Sequence, residues 1–172
     1  MRIAIVSLLL LAILPLLTFV HHSRADDTPA VPAFDWKTLD PIIGAKGQLK
    51  DDVFTYVLPR NDLNVAVDDM DVPAAAGISS QFYFYRCSCG KMRVVGQFCC
   101  ADYESNDVID ALRAGHMEVA SIGPMVLHSK VSPLLLRFQG EGKAGDLAMA
   151  LREALRWTGK ERMAPDVPGK EK

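Results

Sequence analysis

Histidine is scarce in this chain: there are four, and two of them, His21 and His22, sit directly behind an apolar N-terminal run. Only His116 and His128 remain beyond it. Two isolated imidazoles cannot make a metal site that needs three converging ligands, and they sharply limit histidine-based acid–base chemistry. No G-x-S-x-G elbow presents Ser121 or Ser129, and nothing aligns a base with either, which excludes a Ser-His-Asp hydrolase. A phosphate-cradling glycine loop of the P-loop or dinucleotide type is missing as well. There is no basic excess: 19 Lys and Arg stand against 21 Asp and Glu, a net charge of −2. A general nucleic-acid binder needs a clustered basic face, and a module for anionic membrane surfaces needs a basic amphipathic one, so neither is expected. No internal repeat is visible.

The most telling segment is the first. Arg2 is followed by an apolar run from Ile3 to Val20, interrupted only by Ser7, Pro15 and Thr18. Ser23 and Ala25 then precede Asp26-Asp27, an A-x-A-like exit. A basic start, an apolar core and a small-residue exit describe a secretory signal peptide over 1–25. The run of about 18 residues is at the lower limit for spanning a bilayer, so an uncleaved anchor is the competing reading. Pro15 and the Ser23/Ala25 pair favour cleavage, and no cysteine near the exit offers a lipidation site. Cleavage after Ala25 leaves 147 of the 172 residues, one domain by length. The expected location is the periplasm or the exterior, where cysteines meet an oxidising environment.

Beyond the leader, 26–33 is polar and Pro/Ala-containing and is expected to be mobile. A single domain is expected over 34–158, followed by a charged, proline-containing tail over 159–172 without an apolar stripe, expected to be disordered. Asp35 can cap a short helix carrying Trp36, Leu39 and Ile42 or Ile43, closed by Gly44 and Gly47. Strand-like segments follow at 53–58, 63–67, 81–87 and 92–100. Gly90 turns the last two into a hairpin, and Asp68-Asp69-Met70-Asp71 reads as a turn. Ser105 or Asn106 can cap a helix to Arg113 with Val108, Ile109 and Leu112 on one face and Gly115 as a left-handed stop. Strands at 117–122 and 134–138 come next, then a turn at Gly140 and Gly142. The clearest helix runs from Ala144 to Trp157 with Leu147, Leu151 and Leu155 as its stripe. Strands grouped rather than strictly alternating with helices predict an α+β fold: a largely antiparallel sheet with helices packed on one face. The order β-α-β-β-α over 92–157 resembles part of a ferredoxin-like split unit.

Two constellations carry chemistry. Arg60 and Asp62, two apart, point the same way if extended, either to hold an anionic ligand or to pin the bend after Pro59. The cysteines form two pairs, Cys87/Cys89 and Cys99/Cys100, at opposite ends of the hairpin. At about 3.3 Å per residue they lie some 20 Å apart, beyond the ~7 Å that a disulfide allows, so a bridge between the pairs contradicts the hairpin. Bridges within a pair would close small rings. Free thiols behaving as small apolar residues, oxidation in some form, and a soft-cation site from Cys87, Cys89 and Met92 stay open.

The segment Leu58-Pro59-Arg60-Asn61-Asp62-Leu63-Asn64-Val65-Ala66-Val67 resembles the P-R-x-D-L-x-V-x-V element of the LppY/LpqO family of exported bacterial proteins. The link Val72-Pro73-Ala74, the entry Gly77-Ile78-Ser79-Ser80, Glu118-Val119 and Ser132-Pro133 extend the similarity over about 34–158. The resemblance implies an exported domain; the family has no firmly established activity. It also implies a T-A-L-H-N-H motif at the end of the Glu118-Val119 strand, but here that place reads Ala120-Ser121-Ile122-Gly123-Pro124-Met125. The following loop, with Met125, His128 and Lys130, is a candidate ligand contact in its stead. Together these readings predict an exported, non-catalytic domain that binds a small molecule or a protein through Arg60, Asp62, Met125 and His128, without a cofactor. A family-specific enzyme or a copper-handling protein is the alternative, and contact with a membrane is expected only if residues 3–20 stay uncleaved.

Overall fold

The computed structural model describes residues 34–159 apart from 127 and 130. Residues 1–25, read above as a signal peptide, residues 26–33, read as a mobile leader, Lys130 of the candidate loop and the expected tail from 160 onward lie outside the described residues. Asp35 caps a 3-10 turn, Trp36–Leu39, through its carboxylate and the Lys37 N–H, and the turn runs into α1, Asp40–Ile43. Pro41 sits in the first turn, where its missing N–H costs nothing, and Gly44 ends the helix at φ 79°.

Eight strands follow: β1 Gln48–Lys50, β2 Val53–Pro59, β3 Val65–Val67, β4 Met70–Val72, β5 Ser79–Arg86, β6 Met92–Cys100, β7 Glu118–Pro124 and β8 Leu134–Gly142. Two helices complete the fold, α2 Ser105–Ala114 and α3 Ala144–Leu155. Six strands form one sheet in the order β1-β2-β5-β6-β8-β7, antiparallel throughout. The fold is α+β, as the grouping of strands predicts. Because β8 lies antiparallel between β6 and β7, the crossover β6-α2-β7 is a split β-α-β unit. The place next to β6 that a further strand would take after α3 already belongs to β5.

Period-two alternation assigns the faces. Phe54 and Tyr56 on β2, Phe82 and Phe84 on β5, Val94 and Phe98 on β6, and Leu136 and Phe138 on β8 turn to one side. There they meet Leu39 and Ile43, Val108 and Leu112 of α2, and Leu147, Ala148, Leu151 and Ala154 of α3. Phe82, Phe98 and Phe138 form a ring cluster with centroids 4.9–5.7 Å apart, inside the range in which aromatic pairs attract.

Several local expectations are corrected. The strand read at 63–67 does not join the sheet. Its last three residues form β3, which pairs with β4 in a separate ribbon. Asp68 and Asp69 both adopt positive φ, 48° and 64°, the backbone of a two-residue hairpin turn. Asp51 and Asp52 repeat that turn between β1 and β2, and β1, three exposed residues with Leu49 alone apolar, has no pattern to betray it. The ribbon and the loop after β7 pack on the sheet face opposite the helices, around Leu63, Val65, Ile78, Cys99 and Ala101. Gly115 is not a left-handed stop: its φ is −82°, and His116 takes the left-handed conformation at 58°. Glycine is needed at 115 because a Cβ there would collide with Ala150 Cβ on α3. Gly140 is not a turn residue either: it lies within β8, where a Cβ would stand 3.2 Å from both Leu147 and Met117.

Candidate functional site

Pro59 ends β2 opposite Ser79, and the chain then turns, with the Arg60 N–H donating to the Ile78 carbonyl at 2.9 Å. The Arg60 side chain, only 5% exposed, spends every one of its five N–H groups inside the protein. Nε and one Nη2 hydrogen reach the two Asp62 oxygens at 2.9 and 2.7 Å. The remaining Nη2 hydrogen and one on Nη1 reach the two Glu104 oxygens at 3.0 and 2.9 Å. The last Nη1 hydrogen reaches the Cys99 carbonyl at 2.5 Å. Burial alone would lower the Arg60 pKa, but the hydrogen bonds to Asp62 and Glu104 outweigh it and hold the guanidinium firmly charged.

Glu104 is the residue that sequence reading missed. It is 1% exposed and closes the 3-10 turn Asp102–Glu104 that leads into α2. Besides Arg60, its carboxylate accepts the Ala101 N–H and the Gly159 N–H, both at 2.8 Å. The reach back to Ala101 is half of a capping box, and an acid three residues past a helix start was its available signal. Gly159, read from sequence as the first tail residue, is thus tied to the core, and Thr158 beside it is buried. The cluster joins the end of β2, the end of β6, the start of α2 and the segment after α3.

A cavity of about 330 Å³ lies against this clamp, lined by Leu58, Arg60, Asp62, Ser80, Arg152 and Gly159 among others. Met125 and His128 do not line it. Met125 Sδ instead lies 3.7 Å from Cys99 Sγ, within the small core under the ribbon. His128 is exposed on the loop, at φ 58°. The four residues expected to share a ligand therefore fall into three places: the Arg60–Asp62 pair, the sulfur contact and the open loop.

The cysteines separate in the same manner. Cys87 and Cys89 are joined by a disulfide with their Cα atoms 5.1 Å apart, within the turn of the β5–β6 hairpin. Met92 turns into the main core. The three groups considered for a soft cation therefore do not converge: two are bonded to each other and the third faces the helices. Cys99 and Cys100 are free and buried on opposite faces of β6. Desolvation pushes their thiols up to about 11 and about 12 respectively, so both are neutral hydrophobes at ordinary pH. Among the described residues, no three His, Cys, Asp or Glu side chains are gathered to hold a metal ion.

A second cavity, about 300 Å³, opens at the hairpin end of the sheet, lined by Tyr85, Arg93, Val95, His116, Glu118 and Gln139 with Glu141. It mixes donors and acceptors of both charge signs. Lys91 and Arg93 hold Glu141 at 2.5 and 2.8 Å and keep its carboxyl below the ordinary carboxylate range. The Gln139 amide donates to Glu118 at 2.7 Å. Only the β5-β6-β8-β7 register brings these residues together: Tyr85 faces Arg93, Arg93 faces Glu141, and Gln139 lies between Val95 and Glu118.

No curated protein and no solved structure matches the chain. A family model does, over residues 37–157, which takes in the sheet, α1, α2 and α3, and Arg60 with its partners Asp62, Cys99 and Glu104. The chain belongs to the family described as Domain of Unknown Function (DUF1259).

Proposed function

We propose that this chain is an exported, non-catalytic domain of the LppY/LpqO type that binds a small polar molecule or a protein segment at the hairpin end of its sheet. The observation that carries the reading is the saturation of Arg60. A guanidinium with all five donors engaged inside the protein has none left for an incoming anion, so the most conspicuous polar cluster is a structural clamp. We assign binding to the second cavity, whose polar groups of both charge signs line an open hollow at the lower end of the size range of small-ligand sites. The LppY/LpqO assignment rests on Pro59-Arg60-Asn61-Asp62-Leu63, and export rests on the pattern of residues 1–25.

The test for binding is thermal shift of the purified chain against small sugars, dipeptides and dicarboxylates. A ligand present at 100 times its Kd raises stability by about 2.7 kcal/mol. The shift is expected to vanish in Arg93→Ala/Glu118→Ala and to survive in Asp62→Asn; the opposite pattern moves the site to the clamp. Intact mass of the exported species tests the location: it should begin at Asp26, and a membrane-bound form retaining residues 1–25 refutes cleavage.

One contact favours a second reading, soft-metal handling. Cys99 Sγ and Met125 Sδ, 3.7 Å apart, are two soft donors of the kind that Cu(I) selects. One equivalent of Cu(I) bound by the chain and lost in Met125→Leu would establish it.

A further inference from the structure

The Cys87–Cys89 disulfide lies outside everything assigned above. It spans two positions in sequence, inside a turn that is already closed without it. The Cys87 N–H donates to the Lys91 carbonyl at 2.9 Å, and the Gly90 N–H donates to the Cys87 carbonyl at 2.8 Å. Arg86 and Met92 form the last rung of the ladder, and Gly90, at φ 81°, supplies the left-handed residue. A cross-link around so few residues removes little freedom from the unfolded chain. Its position is also unlike that of a structural bridge. Cys89 is exposed and Cys87 half-buried, whereas Cys99 and Cys100 are sealed in the cores. Accessible disulfides that hold little structure belong to the exchangeable class.

The two sulfurs are not equivalent. The Cys89 N–H points at Cys87 Sγ, 3.2 Å away. A disulfide sulfur accepts such a bond weakly, but a thiolate accepts it strongly, because the acceptor then carries full charge. The hydrogen bond therefore awaits the charge that develops on Cys87 when the S–S bond breaks. That makes Cys87 the leaving group and the exposed Cys89 the sulfur open to attack.

We propose that Cys87 and Cys89 form a thiol–disulfide exchange site that accepts two electrons from an accessible dithiol on a polypeptide segment. A thiolate of that segment attacks Cys89 Sγ. A bond forms between them, the Cys87–Cys89 bond breaks, and its electron pair stays on Cys87 Sγ. The segment's second thiolate then attacks its own sulfur in the mixed disulfide and expels Cys89. The segment leaves with a disulfide, and Cys87 and Cys89 remain as a dithiol carrying the two protons given up by the partner. The exchange is stoichiometric and independent of ligand binding in the neighbouring cavity, although that cavity begins only two residues away, at Tyr85.

The experiment mixes the oxidised full chain with a reduced Cys-Gly-Gly-Cys peptide, with reduced glutathione in a parallel arm. The reaction is quenched in acid, alkylated and mapped by mass spectrometry. The expected result is one peptide disulfide formed for each pair of alkyl groups gained at Cys87 and Cys89, with the thermal midpoint of the reduced protein unchanged. In Cys87→Ser, oxidised glutathione should form one adduct at Cys89 that persists, because the Cys87 thiolate that would expel it is missing. The proposal is overturned if the peptide is not oxidised, if only glutathione exchanges, or if reduction lowers the midpoint as loss of a structural bridge would. It is equally overturned if the two thiols are already free in protein taken from an oxidising compartment.

Discussion

Replacing Glu104 by alanine removes the acceptor of four N–H groups at once: two from Arg60 and one each from Ala101 and Gly159. At about 1.5–3 kcal/mol for each hydrogen bond to a charged group, four losses would sum past 6 kcal/mol. That sum is an upper bound, because such bonds are not additive and water can enter the vacated space. The closer analogue is a buried ion pair broken from one side, which costs about 3–5 kcal/mol. The smaller range governs here, since Arg60 keeps Asp62, whose side chain is 25% exposed and still solvated in part. Out of the roughly 5–15 kcal/mol by which domains are stable, 3–5 is a large fraction. Urea unfolding followed by circular dichroism should show the midpoint falling with an unchanged m-value, the signature of lost stability rather than an altered unfolded state. Arg60→Met/Glu104→Leu should cost less than the two single substitutions added together, because the two most buried charges are then removed together and the Asp62 carboxylate is partly solvated. A loss below about 1 kcal/mol in Glu104→Ala, the size typical of an exposed ion pair, would refute the clamp as the element that ties β2, β6, α2 and the segment after α3.

Alkali should destabilise the domain in a definite window. The Cys99 and Cys100 thiols ionise near pH 9 in the unfolded chain but only at about 11 and 12 in the fold, so stability is complete below pH 9 and falls above it. The fall is up to about 1.4 kcal/mol per thiol per pH unit, and Cys100→Ala should reduce the slope of stability against pH even though it also lowers the starting stability. Leu151→Asp replaces a side chain with no exposure in the main core and should cost at least about 4 kcal/mol, the upper range for emptying such a site, with charge burial added; an unchanged melting temperature would mean that α3 is not packed there. Gly115→Val puts a side chain into Ala150 and should cost about 1–3 kcal/mol by overpacking, measured as a lowered thermal midpoint; an unchanged midpoint would mean that α3 does not press on this position.

The elements with long, strongly periodic patterns were legible from sequence. The Leu147/Leu151 stripe of α3, the aromatic alternation of β5, the hairpin with β6 and the split unit after it all follow from side-chain periodicity. Periodicity is a local property, set by 3.6 or two residues per repeat, and the sequence carries it whole. The sequence also brought Arg60 and Asp62 together, because two residues apart in an extended or turning chain are neighbours in any fold. What it could not supply is the second carboxylate. Glu104 lies 44 positions from Arg60 and meets it only because β5 and β6 bring the end of β6 back beside the end of β2. That meeting decides the meaning of Arg60: with one acid it would keep donors to offer, and with two acids and a carbonyl it keeps none. The same logic separates the two glycines from their expected roles, since only the packed structure shows that a Cβ at 115 would collide with Ala150 and one at 140 would press on Leu147 and Met117. It also places the hairpin-end cavity, whose residues come from β5, β6, β8, the start of β7 and, through His116, the link between α2 and β7. Local composition determined the elements, and contacts between distant segments, which no local pattern encodes, decided which polar groups are spent and which stay open.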